Sequence, residues 1–360
     1  MKQLAWLALA LVGCSSESQA ATGSTSSEPL PSASSAPSAQ VSASSSSASP
    51  PTQYEAETLP ELDDDPKTLG DQHAAILRRM KALGMADDTQ AAALQTIFAK
   101  SGKLGQGTIG TTAHPLTRQQ CFERRKEAGV ADEKKPICKA PFMVPLYRPG
   151  SEKESDAKTC IDRYEFPGMP CDYPVTWVST REAQDICHVL GKRLCDAHEW
   201  EGACAGDLLP PEEEYAFGRP RDTMRGMHDL RRQIVWAYGK KKDHAKCGTD
   251  SVKNEKCSSH GWKHCGSNTY PAGSFPACKS PFGVYDQHGN AAEHMALPMK
   301  REELGKLGGF GIPEMKGSWF IFKKYEAHID DCRWRSPSWH ENEGYAHSNY
   351  HLGFRCCKDL

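Results

Sequence analysis

Cysteine limits what this chain can become. Its 360 residues include 15 cysteines, and every one except Cys14 lies between Cys121 and Cys357. A reducing compartment rarely holds so many thiols, whereas an oxidising one pairs them, so the composition reads as that of an exported protein. Setting Cys14 aside leaves an even number, enough for up to seven bridges. Their connectivity cannot be read from spacing. Cross-links restrain the unfolded chain, so such a protein can fold with little regular hydrogen-bonded structure. A reactive thiol would need exposure and a depressed pKa, so structural pairing is the reading adopted.

The exception, Cys14, ends a short leader. Lys2 gives a positive start, and Leu4–Val12 is an apolar run well short of the roughly 20 residues of a membrane span. The run closes in LVGC at Leu11–Cys14, which resembles a bacterial lipobox, and the resemblance implies cleavage before Cys14 and a lipid on its sulfur. Residues 1–14 are therefore read as a lipoprotein signal with Cys14 as the lipidation site. Ser15 follows it, where an Asp would favour inner-membrane retention, so the expected address is the outer membrane. Residues 15–65 are mostly Ser, Ala, Pro and Thr, ending in an acidic patch, and bury too little apolar surface to offset chain entropy. Such a tether would reach about 35–40 Å. With a net charge of −2, nothing in the composition calls for a nucleic acid partner.

Residues 66–135 read as a helical segment. Ile76, Met80 and Leu83 recur at helical spacing before Gly84, and Asp88 is the expected N-cap of a second helix carrying Leu94, Ile97 and Phe98 up to Gly102. The glycine-rich Gly102–Gly110 lacks the Lys-Ser/Thr ending of a phosphate loop and reads as a connector. A cysteine-bearing helix follows around Cys121, then a strand at Phe142–Tyr147. Within residues 136–360, Pro174–Ser179 alternates like a strand. Ser179 with Glu182, and Asp196 with Glu199, form two capping boxes that open consecutive helices.

Three motifs then occur in order: GKRLCDAHEWEGACAG at Gly191–Gly206, PFGVYDQHGNAAEH at Pro281–His294, and LGFRCC at Leu352–Cys357. Together with CIDRYEFPG at Cys160–Gly168 they resemble the sulfatase-modifying-factor domain, the family of the formylglycine-generating enzymes. The resemblance implies an α+β fold, loop-rich and disulfide-rich, of the decorated C-type-lectin-like kind, over residues 136–360. It also implies a calcium site at the second motif, with Asp286 and Glu293 supplying carboxylates and Gly289 and Ala291 carbonyls. The charge logic points the same way, since two carboxylates in one tight loop repel unless a cation lies between them. Hard oxygen donors suit Ca²⁺ in a structural role. The family's second calcium site is not expected, because Gly248 stands where an asparagine is usual.

The implied chemistry is where this chain departs. Aerobic members use two cysteines after a GGS[WY] motif to hold copper, and counting on from Ser318 those positions are Ile321 and Glu326. Neither supplies the sulfur that Cu(I) requires. Ala292 and His294 also stand where the family usually has tryptophans. No copper is expected, and no residue is assigned a catalytic role. Cys257, His260, His264 and Cys265 have a zinc-like spacing, but a disulfide with nearby surface histidines is the preferred reading.

The function read from the sequence is a lipid-anchored envelope protein, attached to the membrane through that anchor, whose domain binds a peptide or glycan without chemistry. Two alternatives stay open. One is a metal-dependent oxidase with rearranged ligands, drawing on His294, Glu326, His328 and Cys332; the other is a purely structural envelope component.

Overall fold

Five helix starts carry the same device, a side chain that caps the third amide of its own helix and is capped in return. In this computed structural model, which describes residues 65–257, 261–306, 312–337 and 347–360, it opens α1 (Leu69–Ala82, Thr68 with Asp71) and α2 (Asp88–Ser101, Asp87 with Gln90). It recurs at α3 (Arg118–Glu127, Thr117 with Gln120), α4 (Thr180–Val189, Ser179 with Glu182) and α5 (Ala197–Ala205, Asp196 with Glu199). Both boxes predicted from sequence are present. At α2 the cap is Asp87 rather than Asp88, because Asp87 is the residue whose carboxylate reaches the Gln90 amide, at 2.8 Å. Gly102 and Gly206 close α2 and α5 in the left-handed conformation that glycine adopts without strain.

Strands are few and short. β1 (Met143–Leu146), β2 (Thr159–Asp162), β3 (Arg193–Leu194) and β7 (Cys356–Asp359) form an antiparallel sheet in the order β1-β2-β7-β3. A second sheet has β4 (Ala292–Leu297) between antiparallel β5 (Ile312–Lys316) and parallel β6 (Leu352–Phe354). Helices α6 (Pro211–Glu214) and α7 (Arg221–Arg231) lie in the long connection between α5 and β4. The fold is α+β, as expected. None of the described helices is long and apolar enough to cross a membrane.

Pro174–Ser179 is not a strand. Its amides go three ways: Val175 to Phe166, Thr176 to Gly105 and Trp177 to Asn349. Trp177 also sits at φ 56°, which turns the chain out of any extended ladder. The alternation is real, but it serves separate neighbours.

All fourteen described cysteines pair, in seven disulfides. Consecutive strand residues point to opposite faces, and β7 uses this: Cys356 is stapled to Cys187 of α4 and Cys357 to Cys195, next to β3. The two bridges fall in different apolar clusters, one on each side of the sheet. Cys187–Cys356 spans 169 residues, for which chain-entropy reasoning gives about 5 kcal/mol at 25 °C.

The α1–α2 hairpin is not a free-standing spacer. Ile76, Met80, Leu94 and Phe98 share a cluster with Phe166, Val175, Ile186 and Phe354. Buried Asp172 receives Arg79 of α1 through Nε (2.9 Å) and Nη2 (3.1 Å), Arg118 of α3 through Nε (2.8 Å), and Gln106 (2.7 Å). Burial raises the Asp172 pKa, but Arg79 and then Arg118 outweigh it and bring it down to about 2.

Candidate functional site

The loop leading into β4 folds as it does because its sequence tolerates left-handed backbone. Asp286 (φ 59°), Gly289 (φ 76°) and Asn290 (φ 56°) are three residue types that accept positive φ. Gly289 is obligatory in a second sense: a Cβ there would lie 2.7 Å from the Gly248 carbonyl oxygen. Asn290 anchors the loop. Its amide donates to Gly248, its side-chain oxygen accepts from the Tyr270 amide (2.8 Å), and its side-chain nitrogen donates to Glu165 (2.6 Å).

Around this loop three carboxylates are buried together: Glu165, Asp286 and Glu293. Glu293 is gripped by Arg355 of the LGFRCC motif through Nε (2.7 Å) and Nη2 (2.5 Å), and accepts from the Trp200 indole at 2.9 Å. Asp286 accepts from the Gly273 amide at 2.6 Å, and Glu165 from the Ala291 amide at 2.8 Å. Burial, above all, pushes the Asp286 pKa up to about 7 and that of Glu165 well above the carboxylate range, with the neighbouring carboxylates adding to the rise. Among the described residues, no hydrogen bond ends on the carbonyls of Gly289 or Ala291. Sequence reasoning assigned Asp286, Gly289, Ala291 and Glu293, and missed Glu165 and Arg355.

The two positions where the resemblance implies copper-binding cysteines are Ile321, buried in an apolar cluster, and Glu326, half exposed and ion-paired with Lys242. Copper held by sulfur does not fit here, since every described cysteine is in a disulfide. Cys332, named as a candidate ligand, is bridged to Cys204, and Cys257 is bridged to Cys265, in place of a zinc pair. His294 is a satisfied core histidine: Nδ1 meets the Thr180 hydroxyl and Nε2 the Val178 carbonyl, each at 3.0 Å, and burial lowers its pKa to about 3. His328 stacks on Trp334 at 4.4 Å. Cys14 and His260 lie outside the described residues.

Beside Glu326 the chain places a carboxylate that sequence reasoning did not single out. Asp330 accepts from the Trp236 indole (3.0 Å) and the Ser318 hydroxyl (3.0 Å), and Ser318 in turn accepts from the Gly289 amide (2.9 Å). The GSW motif thus joins the Asp286–Glu293 loop to the segment after Ile321. Two recesses, about 420 and 540 Å³, lie elsewhere: the first beside Gln106, His114 and Tyr173, the second beside Arg124 and Phe275. The amide of Gln106 and the ring of Tyr173 are already engaged, by Asp172 and by His114, so the first recess has little free recognition chemistry.

Residues 115–360 match the family model of the sulfatase-modifying factor enzyme 1-like domain. The match starts ahead of α3, inside the segment read as 66–135. No curated protein matches the chain. Among solved structures, the crystal structure of CarF is similar at 13% identity and a TM-score of 0.35, covering 61% of this chain and 96% of that one.

Proposed function

Because the chain belongs to the sulfatase-modifying factor family, we propose that its domain is a binding member of that family that has given up thiol-and-copper oxidation. One observation carries this: the family domain contains fourteen cysteines, and all of them are spent on disulfides. The positions expected to hold the oxidase thiols carry a buried isoleucine and an ion-paired glutamate. The ligand class proposed is an extended peptide or a glycan, by analogy with the family's substrate groove. Incubation with copper, oxygen and cysteine peptides, followed by mass spectrometry, tests the loss of chemistry. No aldehyde product is expected, and its formation would overturn the reading. Binding on peptide and glycan arrays tests the rest, and an array with no specific signal counts against it.

We also propose a structural calcium ion at Asp286, Gly289, Ala291 and Glu293. Three buried carboxylates are grouped here and Arg355 pairs with one of them, Glu293, and this surplus of negative charge, with two carbonyls free of hydrogen bonds among the described residues, favours a divalent cation. Glu293 would share its oxygens between that ion and Arg355. Lipidation at Cys14 and tethering to the outer membrane complete the proposal, supported by LVGC and the Ser/Ala-rich residues after it. Cys14→Ser is expected to move the protein from the membrane fraction to the soluble one; a variant that stays with the membrane refutes the anchor.

A further inference from the structure

We infer that His244, Glu326 and Asp330 form a binding site for one divalent first-row metal ion, with Zn²⁺ the best match to their donors. One ligand atom from each lies within 4.8 Å of the others. The His244 Nε2 is 3.5 Å from Asp330 Oδ2 and 3.7 Å from Glu326 Oε1. Around an ion with bonds of about 2.0–2.2 Å, tetrahedral donors sit about 3.3–3.6 Å apart. Both distances from His244 are therefore within tenths of an ångström of that range, and the Glu326 and Asp330 oxygens, within 4.8 Å of each other, close the triangle.

An orphaned nitrogen marks the place. His244 Nε2 is buried and has no hydrogen-bond partner. His288, fully buried, also has an unpartnered nitrogen, Nδ1, at 3.9 Å from Asp330 Oδ2. Its other nitrogen, Nε2, accepts from the Ala237 amide at 3.0 Å, so Nδ1 carries the proton in the neutral ring. That N–H faces Asp330, as do the Trp236 and Ser318 donors. Donors behind a carboxylate of this kind orient it for a metal and keep it ionised. The carboxylate is thus faced by three donors of the fold, while half-exposed Glu326 brings the site to the surface. Lys242 shares the Glu326 carboxylate and would yield an oxygen to the ion. One imidazole with two carboxylates suits a borderline cation and not Cu(I). Among the described residues, the two other clusters of metal-binding residue types each contain a disulfide, Cys204–Cys332 or Cys195–Cys357, and offer no thiolate.

The site stands independently of the ligand-binding reading, since a metal here requires no loss or gain of thiols. The test uses the chelator-stripped chain titrated with Zn²⁺ by calorimetry, and with Co²⁺ by its visible absorption. One equivalent should bind, and both His244→Ala and Glu326→Gln should weaken it at least about tenfold. Both residues are only partly buried, so these variants should fold even if Asp330→Asn does not. The exposed-histidine control His264→Ala should leave affinity unchanged. Uptake below a tenth of an equivalent overturns the inference. So does an affinity that ignores His244→Ala and Glu326→Gln, or one that falls in His264→Ala.

Discussion

Asp172→Asn removes the charge on which the α1–α2 hairpin and α3 converge. The side chain is isosteric, so the packing around it survives, but Arg79 and Arg118 lose their shared counter-ion in a buried setting. Breaking one partner of a buried pair costs about 3–5 kcal/mol. Proton linkage gives a second estimate. The pKa falls from 3.8 to about 2 on folding, which corresponds to about 2–3 kcal/mol at neutral pH. Because the folded pKa is depressed, this stabilisation is fully present above about pH 4 and is lost as pH falls towards 2. At pH 7 we therefore expect denaturant unfolding to show a loss of about 3 kcal/mol. The gap between the two proteins should shrink as the pH is lowered through that window. Hydrogen exchange should report where the loss falls, with amides of α1 and α2 opening before those of β2 and β7. A variant within 1 kcal/mol of the parent at pH 7, or a difference that is constant from pH 7 to pH 3, would refute the argument.

Arg355→Met leaves Glu293 facing Asp286 and Glu165 without its guanidinium; by the same buried-pair cost the melting temperature should fall on the order of 10 °C, and a fall under 3 °C contradicts the assignment. Gly289→Ala adds backbone strain and a Cβ 2.7 Å from the Gly248 carbonyl, whereas Gly191→Ala adds strain alone. The second should cost about 1 kcal/mol and the first clearly more, with equal thermal shifts the disproving result. Millimolar Ca²⁺ should raise the melting temperature of the parent and not of Asp286→Asn; identical responses argue against the proposed calcium site. Alkylation in denaturant without reductant should label none of the cysteines from Cys121 to Cys357, and any stoichiometric adduct contradicts full pairing.

The parts that sequence reasoning reached are those set by neighbours three or four positions away. The boxes at Ser179–Glu182 and Asp196–Glu199 are local hydrogen-bond exchanges, so their residue types announce them. Full pairing of the cysteines after Cys14 also followed, because even parity in an oxidising compartment is a property of composition. The docking of the hairpin was not legible, since it depends on Arg79 meeting Asp172 across 93 positions. Glu165 looked like part of a fold motif, and only its closure on Asn290, 125 residues away, places it beside Asp286 and Glu293. The Pro174–Ser179 error has the same origin: alternating burial is visible in sequence, but the identity of each amide's acceptor is not. His244 opens a single short 3-10 turn and Glu326 and Asp330 lie in irregular chain, so no periodicity brings them together.

The last strand has a consequence for how the protein is made. A chain made amino end first lets Cys121 and Cys138 meet their partners within 50 and 22 residues. Cys187 and Cys195, by contrast, must wait for the closing tetrad of the polypeptide's final strand, 169 and 162 residues later. During that wait they are nascent thiols surrounded by earlier cysteines, and oxidation at that stage yields wrong pairs. Maturation of this protein is therefore expected to depend on a disulfide-reshuffling catalyst wherever its thiols are oxidised, and deleting residues 356–360 should trap mispaired chains rather than yield a slightly shorter native one.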